Sequence, residues 1–321
     1  MFKVSSIKDK IYAKLINIEK EYKQKKYFFG RFRALLYSVS FYLGAIAFLK
    51  HKAILCFLNK NIITIQDRKY KNSEFLTNNS VSSTLCGERI SDDCKIWIMW
   101  WQGADHMPPI VQSCYNSVLQ HKGNHEVILL DQYNYSNYIE IPDEIINKIK
   151  RIERIAYVSD LVRFGLLSKY GGIWLDSTIF ISNEIKGFEV SLYSIRHANG
   201  MPRFVLNGDK WSSYMFASTK DHPFTTAVFE SLLEYFNKFD YLVDYLLTDY
   251  LIANMYLSNR MFKYYIDVLP LDNPNSLQLL LERDMPLNEL RLKEILKTNT
   301  YHKLDWRLNI KPNSMLSYVL K

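Results

Sequence analysis

The sequence has 321 residues, of which 48% are hydrophobic and 15% aromatic, so the chain can bury a sizeable core. This composition excludes a chain that is disordered throughout. The net charge is +8, and residues 1–72 hold 16 Lys and Arg and 4 Asp and Glu, against 41 and 33 in the whole chain. The remainder is mildly acidic, which argues against nucleic-acid binding because such a domain needs a basic face of its own.

The first 72 residues are predicted to form a basic, helical segment that associates with an anionic membrane surface. An uncharged run from Ala34 to Leu49 lies between basic residues and is shorter than the roughly 20 residues that cross a bilayer. Three interpretations stay open: an interfacial helix or shallow hairpin, a helix buried in the domain, and a secretory signal suggested by Ala45-Ile46-Ala47. The long charged stretch before the run disfavours the signal.

Residues 73–92 are polar and are predicted to link this segment to a domain over 93–321. Strand patterns at 95–99 and 126–131 flank a helix that begins at Pro108-Pro109, which makes a βαβ unit. Further helices are predicted at 142–152, 154–170, 223–238, 241–257 and 286–297, and further strands at 173–182, 189–195 and 212–218. The order of these helices and strands along the chain predicts an α/β fold with an N-terminal helical appendage and an irregular tail.

Four cysteines, Cys56, Cys86, Cys94 and Cys114, have neither the spacing of a zinc site nor that of a disulfide framework. We therefore expect free thiols in a reducing cytosol.

The most informative stretch of the chain combines a helix, a glycine stop and a buried strand. Asp160 and Arg163 are three residues apart and so share one helical face. Gly171-Gly172 ends the helix, and the strand that follows delivers Asp176 at its carboxyl end, where open α/β sheets bind ligands. A surface ion pair is the alternative for Asp160 and Arg163, but the apolar residues around them favour the border of a cleft.

A second pattern is Trp100-Trp101-Gln102-Gly103 at the end of the first predicted strand. Consecutive strand residues point to opposite faces, so the two Trp side chains are not expected in the same core layer. One of them is then free to stack on a ligand, and the alternative is an aromatic side chain that closes the core.

Both patterns resemble those of capsular polysaccharide synthesis glycosyltransferases with a DXD-type sugar-binding region, related to the mannosyltransferase and clostridial glucosylating toxin group. The resemblance implies a GT-A-like fold, a Rossmann-type mixed sheet flanked by helices. It also implies retaining transfer of a hexose from a nucleotide-sugar, UDP-linked, to a lipid-linked or oligosaccharide acceptor in bacterial surface polysaccharide synthesis. We expect a cytoplasmic protein, peripheral on the inner face of the cell membrane. A non-catalytic nucleotide-sugar or glycan-binding protein and a membrane-surface scaffold are the alternatives.

The resemblance also implies roles for the donor-binding residues. Trp101 would lie against the uracil, with Gln102 and Gly103 beside the nucleotide. Asp160 and Arg163 would hold hydroxyls of the donor sugar and its ribose. Asp176 would bind a divalent cation, Mn²⁺ or Mg²⁺, on the diphosphate.

Thr178 stands where many members of the group carry a second Asp, so a further metal ligand is expected from the tail. His302 and Asp305 are the candidates, with Lys303 as a point charge for the diphosphate; the alternative is that His302 only packs the tail. Asp249 would orient or deprotonate the acceptor hydroxyl, or else it is a solvated helix residue. Three further residues resemble acceptor-side segments of the same group: Asn207, Lys210 and Trp211.

Overall fold

The computed structural model describes residues 25, 27–28, 47–62, 88–197, 206 and 209–320. Seven strands in this part of the chain form two sheets: β1 Ile96–Met99, β2 Val127–Leu130, β3 Gly172–Asp176, β4 Ile179–Ile181, β5 Leu192–Ser194, β6 Met215–Ser218 and β7 Tyr301–Lys303. The central sheet has the order β2-β1-β3-β6-β5, and β4 pairs with β7 in the second. β1 is parallel to β2 and β3, whereas β6 is antiparallel to β3 and β5.

Helices flank the central sheet, so the predicted mixed α/β architecture is confirmed. The described α-helices are α1 Ala47–Asn61, α2 Pro109–His121, α3 Asp143–Arg151, α4 Ala156–Tyr170, α5 Pro223–Lys238, α6 Leu247–Ser258, α7 Arg260–Asp267, α8 Gln278–Leu281, α9 Glu289–Thr298 and α10 Met315–Val319.

Side chains of the central strands alternate between two hydrophobic cores, as the period of two in a strand requires. In β1, Ile96 and Ile98 join one core and Trp97 the other; in β3, Leu175 joins the first and Trp174 the second. Both faces of the sheet are therefore buried.

The turn from α4 into β3 needs the glycine pair that the sequence places there. Gly171 and Gly172 have φ angles of 68° and 101°, in the left-handed region that favours glycine. A Cβ atom on Gly171 would lie 2.6 Å from the backbone nitrogen of Lys220, and one on Gly172 would lie 2.4 Å from the carbonyl oxygen of Lys95. The predicted end of the helix is confirmed, and the turn has no room for larger residues.

Three predicted elements differ from the structure. The strand predicted at 173–182 is broken at Ser177-Thr178, because β4 leaves the central sheet to pair with β7. The helix predicted at 241–257 begins only at Leu247. The tail predicted to be irregular contains β7 and α10, whose partners are distant in sequence.

α1 lies against α6, with Ile54 and Leu58 fully buried in the core that these helices share. Lys50 pairs with Asp244 at 2.8 Å, and His51 hydrogen-bonds the hydroxyl group of Tyr250. The described helix is thus a buried helix of the domain. Residues 34–46 and 63–87 lie outside the described part of the chain, and the predicted boundary at residue 72 is among them. The predicted domain bounds therefore stay a prediction. Within the described ranges, no helix has both the length and the apolarity to cross a bilayer.

Candidate active site

A cavity of about 670 Å³ opens at the carboxyl ends of β1 and β3. The two strands are parallel with Met99 paired to Asp176, so both end at the same edge of the sheet. The loops that follow them, α4, the start of α6 and the tail after β7 supply the walls. Of the residues predicted for the site, those that line the cavity are Trp101, Gln102, Asp160, Arg163, Asp176, Asp249, Lys303 and Asp305.

Asp176 has both carboxylate oxygens engaged. Oδ1 accepts hydrogen bonds from Arg163 Nη2 at 2.8 Å and from the indole nitrogen of Trp174 at 3.1 Å, and Oδ2 accepts one from Lys303 Nζ at 3.1 Å. Burial raises the pKa of this carboxyl group, but the charges of Lys303 and Arg163 outweigh it and hold the pKa below its ordinary value. Asp176 is therefore ionised at neutral pH.

Arg163 connects two carboxylates from its buried position in α4. Its Nη1 lies 3.0 Å from Asp160 Oδ1, so the predicted sharing of one helical face is confirmed. The guanidinium carbon lies 5.2 Å from the ring centroid of Trp174. Asp160 Oδ2 accepts a hydrogen bond from the Thr248 hydroxyl at 2.6 Å. Burial raises the pKa of Asp160, against the opposing effects of Arg163 and Thr248.

Lys303 reaches the cavity because β7 pairs with β4, which places Lys303 opposite Ile179. Its ammonium group donates to Thr178 Oγ1 at 2.7 Å as well as to Asp176, and it lies 5.2 Å from the ring centroid of Tyr214. The predicted point charge thus stands between the strand-end carboxylate and the hydroxyl of Thr178.

The other two tail candidates are placed differently. Asp305 lines the cavity, and its Oδ1 accepts the backbone N–H of Arg307 at 3.0 Å. His302 is fully buried and its Nε2 lies 2.9 Å from Ser182 Oγ. Neighbouring strand residues point to opposite sides, so His302 points away when Lys303 faces the cavity. Burial lowers the pKa of His302 to about 4. The structure does not bring His302 to the site. Its position agrees with the alternative that this side chain only packs the tail against the domain.

Asp249 lies in the first turn of α6 and borders the cavity. Its Oδ1 accepts a hydrogen bond from the indole nitrogen of Trp211 at 3.0 Å. Burial, opposed by that bond and reinforced by the charge of Asp160, raises the pKa of Asp249 to about 6. It is therefore not a solvated helix residue. Lys210 pairs with Asp267 at 3.2 Å outside the cavity lining, and Asn207 lies outside the described residues.

Trp100 and Trp101 both line the cavity; Trp101 also packs against a hydrophobic core of the described residues, whereas Trp100 does not, so the two side chains do not share a core layer. They follow β1 rather than belonging to it, and the alternation ends with the strand. Trp100 donates its indole N–H to the carbonyl of His106 at 3.1 Å. The Trp101 ring lies 5.9 Å from that of Tyr135, and Gly103 turns the chain with a φ of 86°.

The residues present do not fit the expected divalent cation. Lys303 Nζ stands between Asp176 Oδ2 and Thr178 Oγ1, where an ion shared by these oxygens would have to be. Arg163 holds the other oxygen of Asp176, and like charges repel a further cation. Among the described residues, no group of three or more His, Cys, Asp or Glu side chains is arranged to hold a metal.

Among the residues that hydrogen-bond the carboxylates of Asp160 and Asp176, the sequence did not predict two. Trp174 precedes Asp176 by two residues on the same strand, so the period of two places it on the same side and was a usable signal. Thr248, which binds Asp160, carries no pattern that distinguishes it from other helix threonines.

Comparisons with known proteins give one matching family model and two individual similarities. A family model described as "Capsular polysaccharide synthesis protein" matches residues 44–321. The O-glycosyltransferase braB of Annulohypoxylon truncatum is 32% identical over 107 residues, which cover 30% of this chain and only 25% of that protein. Among solved structures, the PaToxG glycosyltransferase aligns with a TM-score of 0.43 and 11% identity, over 81% of this chain and 100% of that one.

Proposed function

Because the chain belongs to the capsular polysaccharide synthesis protein family, we propose that it is a glycosyltransferase that moves a hexose from a UDP-linked donor to a glycan hydroxyl group. The proposed product is part of a bacterial surface polysaccharide, and the proposed transfer retains the anomeric configuration. The observation that carries the proposal is the connected set of Asp160, Arg163, Asp176 and Lys303 in one cavity at the ends of β1 and β3.

The size and lining of the cavity support a nucleotide-sugar as the ligand. Its volume of about 670 Å³ falls within the roughly 300–1,000 Å³ that is usual for small-molecule sites. Trp101 offers an aromatic face for the uracil, with Gln102 beside it. Asp160 and Arg163 offer an acceptor and donors for hydroxyl groups of the sugar and ribose.

Positive charge at the strand ends supports a role in stabilising the leaving group. When the glycosidic bond to the diphosphate breaks, negative charge develops on the phosphate oxygen. Lys303 is held in place before the substrate arrives, because Asp176 and Thr178 accept its hydrogen bonds. A preorganised cation of this kind stabilises the transition state without reorganising during the reaction.

The position and pKa of Asp249 support the proposal that the acceptor binds at this side of the cavity. With a pKa of about 6 it is mostly ionised at pH 7 and can take the proton of an acceptor hydroxyl group. Tyr245 and Leu246 border the cavity beside it and are exposed, so they offer apolar surface to a lipid-linked or oligosaccharide acceptor.

The sequence predicts two further partners, a divalent cation and a membrane surface. The observations favour the membrane surface and argue against the cation. The basic residues of 1–72 favour an anionic membrane surface on the cytoplasmic side. The metal stays a prediction from the resemblance, and the ammonium group beside Asp176 argues against it.

The test is a screen of the purified full chain against UDP-linked and other nucleotide-sugars with oligosaccharide acceptors, read by mass spectrometry for glycosylated product and free nucleotide. Transfer that is lost in Asp176→Asn and kept in Asp267→Asn, which removes a carboxylate outside the cavity lining, would support the proposal. Nucleotide binding without transfer or hydrolysis would favour the non-catalytic binding protein. No binding of any nucleotide would overturn both.

A further inference from the structure

We propose that Lys303 takes the place of a divalent cation on the donor diphosphate, so that Asp176 holds a protein cation rather than a metal and transfer is metal-independent. This inference rests on the proposed function and deepens it.

The first support is the position of the ammonium group. Lys303 Nζ lies 3.1 Å from Asp176 Oδ2 and 2.7 Å from Thr178 Oγ1. Asp176 and Thr178 are the first and third residues of the triplet Asp176-Ser177-Thr178. In a DXD sequence both of these positions are acidic and would bind the metal. Thr178 therefore has a neutral hydroxyl group where a DXD sequence has its second carboxylate, and Lys303 donates a hydrogen bond to that hydroxyl group.

The second support is the number of donors that Lys303 keeps for a ligand. An ammonium group has three N–H donors. Among the described residues, Asp176 and Thr178 accept two of them, and the side chain keeps 23% of its surface exposed in the cavity. One donor is therefore left for a phosphate oxygen, and the charge is fixed before the diphosphate arrives.

The third support is the balance of charge within the connected set of ion pairs that contains Lys303; Asp249 and Asp305 also line the cavity, outside that set. Asp160, Arg163, Asp176 and Lys303 are two carboxylates matched by two cations. Asp176 is thus already neutralised, which removes its attraction for Mn²⁺ or Mg²⁺. The diphosphate needs additional positive charge.

That additional charge is present at the cavity border. Arg154 and Arg307 line the cavity and are exposed, and neither forms an ion pair with the residues that the structure describes. The Arg307 guanidinium carbon lies 5.1 Å from the ring centroid of Trp306, which lines the same border. Both arginines are placed to meet the outer phosphate or the ribose side of the nucleotide.

The transfer step is then written without a metal. The bond between the anomeric carbon and the diphosphate oxygen breaks, and its electron pair stays on that oxygen, which accepts a hydrogen bond from Lys303. The acceptor oxygen forms the new bond to the anomeric carbon, and its proton passes to Asp249. Lys303 keeps its own proton throughout, and the products are the glycoside and UDP.

The first test compares the full chain in EDTA with the same chain after addition of Mn²⁺ or Mg²⁺. We expect UDP affinity by titration calorimetry, and transfer from the donor found in the screen, to agree within twofold in all conditions. Binding or transfer that disappears in EDTA and returns with Mn²⁺ would overturn this inference alone. No nucleotide binding in any condition would overturn the proposed function as well.

The second test uses variants of Lys303 and two ligands. Lys303→Met should weaken UDP binding roughly tenfold to a hundredfold, the value of one charge-assisted contact, while uridine binding stays within twofold. Lys303→Arg should restore much of the UDP affinity. Lys311→Met, in the exposed part of the same tail, is the matched control and should leave both affinities unchanged. Equal losses for UDP and uridine in a folded Lys303→Met protein would contradict the proposed contact.

Discussion

Arg163 donates to Asp176 over 2.8 Å, and this contact joins α4 to the carboxyl end of β3. Arg163 is buried, so it cannot exchange this partner for water without a large cost. The carboxylate therefore has a structural role in addition to its proposed role in the site.

Replacing Asp176 with Asn should lower the free energy of unfolding by about 1–3 kcal/mol, less than a fully buried ion pair because Asp176 is 27% exposed. Urea unfolding at pH 7 measures the loss, with Ser177→Ala as a control expected within about 0.5 kcal/mol of wild type. The native pKa of Asp176 lies below its unfolded value, so its contribution is complete above about pH 4 and is lost as pH falls further. The variant and wild type should therefore converge at low pH, and a difference that persists there would contradict the ion-pair explanation.

Asp249→Asn should lower transfer about a hundredfold or more, because the proposed acceptor base is lost. In the wild type, kcat/KM should fall as pH decreases through about 6, where Asp249 takes up a proton. That part of the profile should be absent from the variant. Asp267→Asn removes a carboxylate outside the cavity and should keep the wild-type profile. A wild-type rate that is flat from pH 5 to 8 would rule out this role.

Trp101→Ala should weaken UDP binding by about 10-fold to 100-fold, the usual value of base stacking on an aromatic ring. Uridine should lose the same factor, since the contact is to the base, and Trp101→Phe should lose less. Titration calorimetry with both ligands measures this. A loss confined to UDP would place Trp101 near the phosphates instead.

His302→Ala should leave kcat/KM within twofold of wild type at temperatures where the protein is folded, because the side chain lies outside the cavity lining. Its loss should lower the unfolding free energy by about 2 kcal/mol through the bond to Ser182 and the packing around it. Activity and thermal unfolding are measured together. A tenfold loss of activity in a protein of unchanged stability would return His302 to the list of site residues.

Ile54→Ala should destabilise the protein by about 2–5 kcal/mol, as expected for a buried aliphatic side chain. Cys56→Ala, on the exposed side of the same helix, should change stability by less than about 0.5 kcal/mol. Urea unfolding of both variants in the absence of lipid measures the difference between their free energies of unfolding. Equal, small effects would mean that α1 does not pack on the domain in solution.

Local patterns predicted the parts of the site that lie within one helix and one strand. Asp160, Arg163, the glycine pair and Asp176 follow each other within 17 residues, where helical period, φ preference and strand direction decide the geometry. The βαβ start of the sheet was predictable for the same reason, since β1 and β2 are joined by one α-helix, α2.

The pairing of β4 with β7 was not predictable from sequence. It joins Ile179 to Lys303, and three-residue strands carry too little alternation to be recognised. Whether His302 faces the site or only packs the tail depended on this pairing, because the strand determines which of two neighbouring residues faces the cavity. Once the strand is known, period two assigns Lys303 to the site and His302 to the interior.

The same pairing has a consequence for the order in which the protein is completed during translation. All five strands of the central sheet, with Arg163 and Asp176, lie between residues 96 and 218, so they leave the ribosome before β7 has been synthesised. At that stage the nascent chain has its strand-end carboxylate and the arginine beside it, but the lysine that meets them has yet to be added. Full donor affinity is therefore expected only after β7 has been made and has paired with β4, so a nascent chain that ends before Tyr301 should bind the sugar nucleotide more weakly.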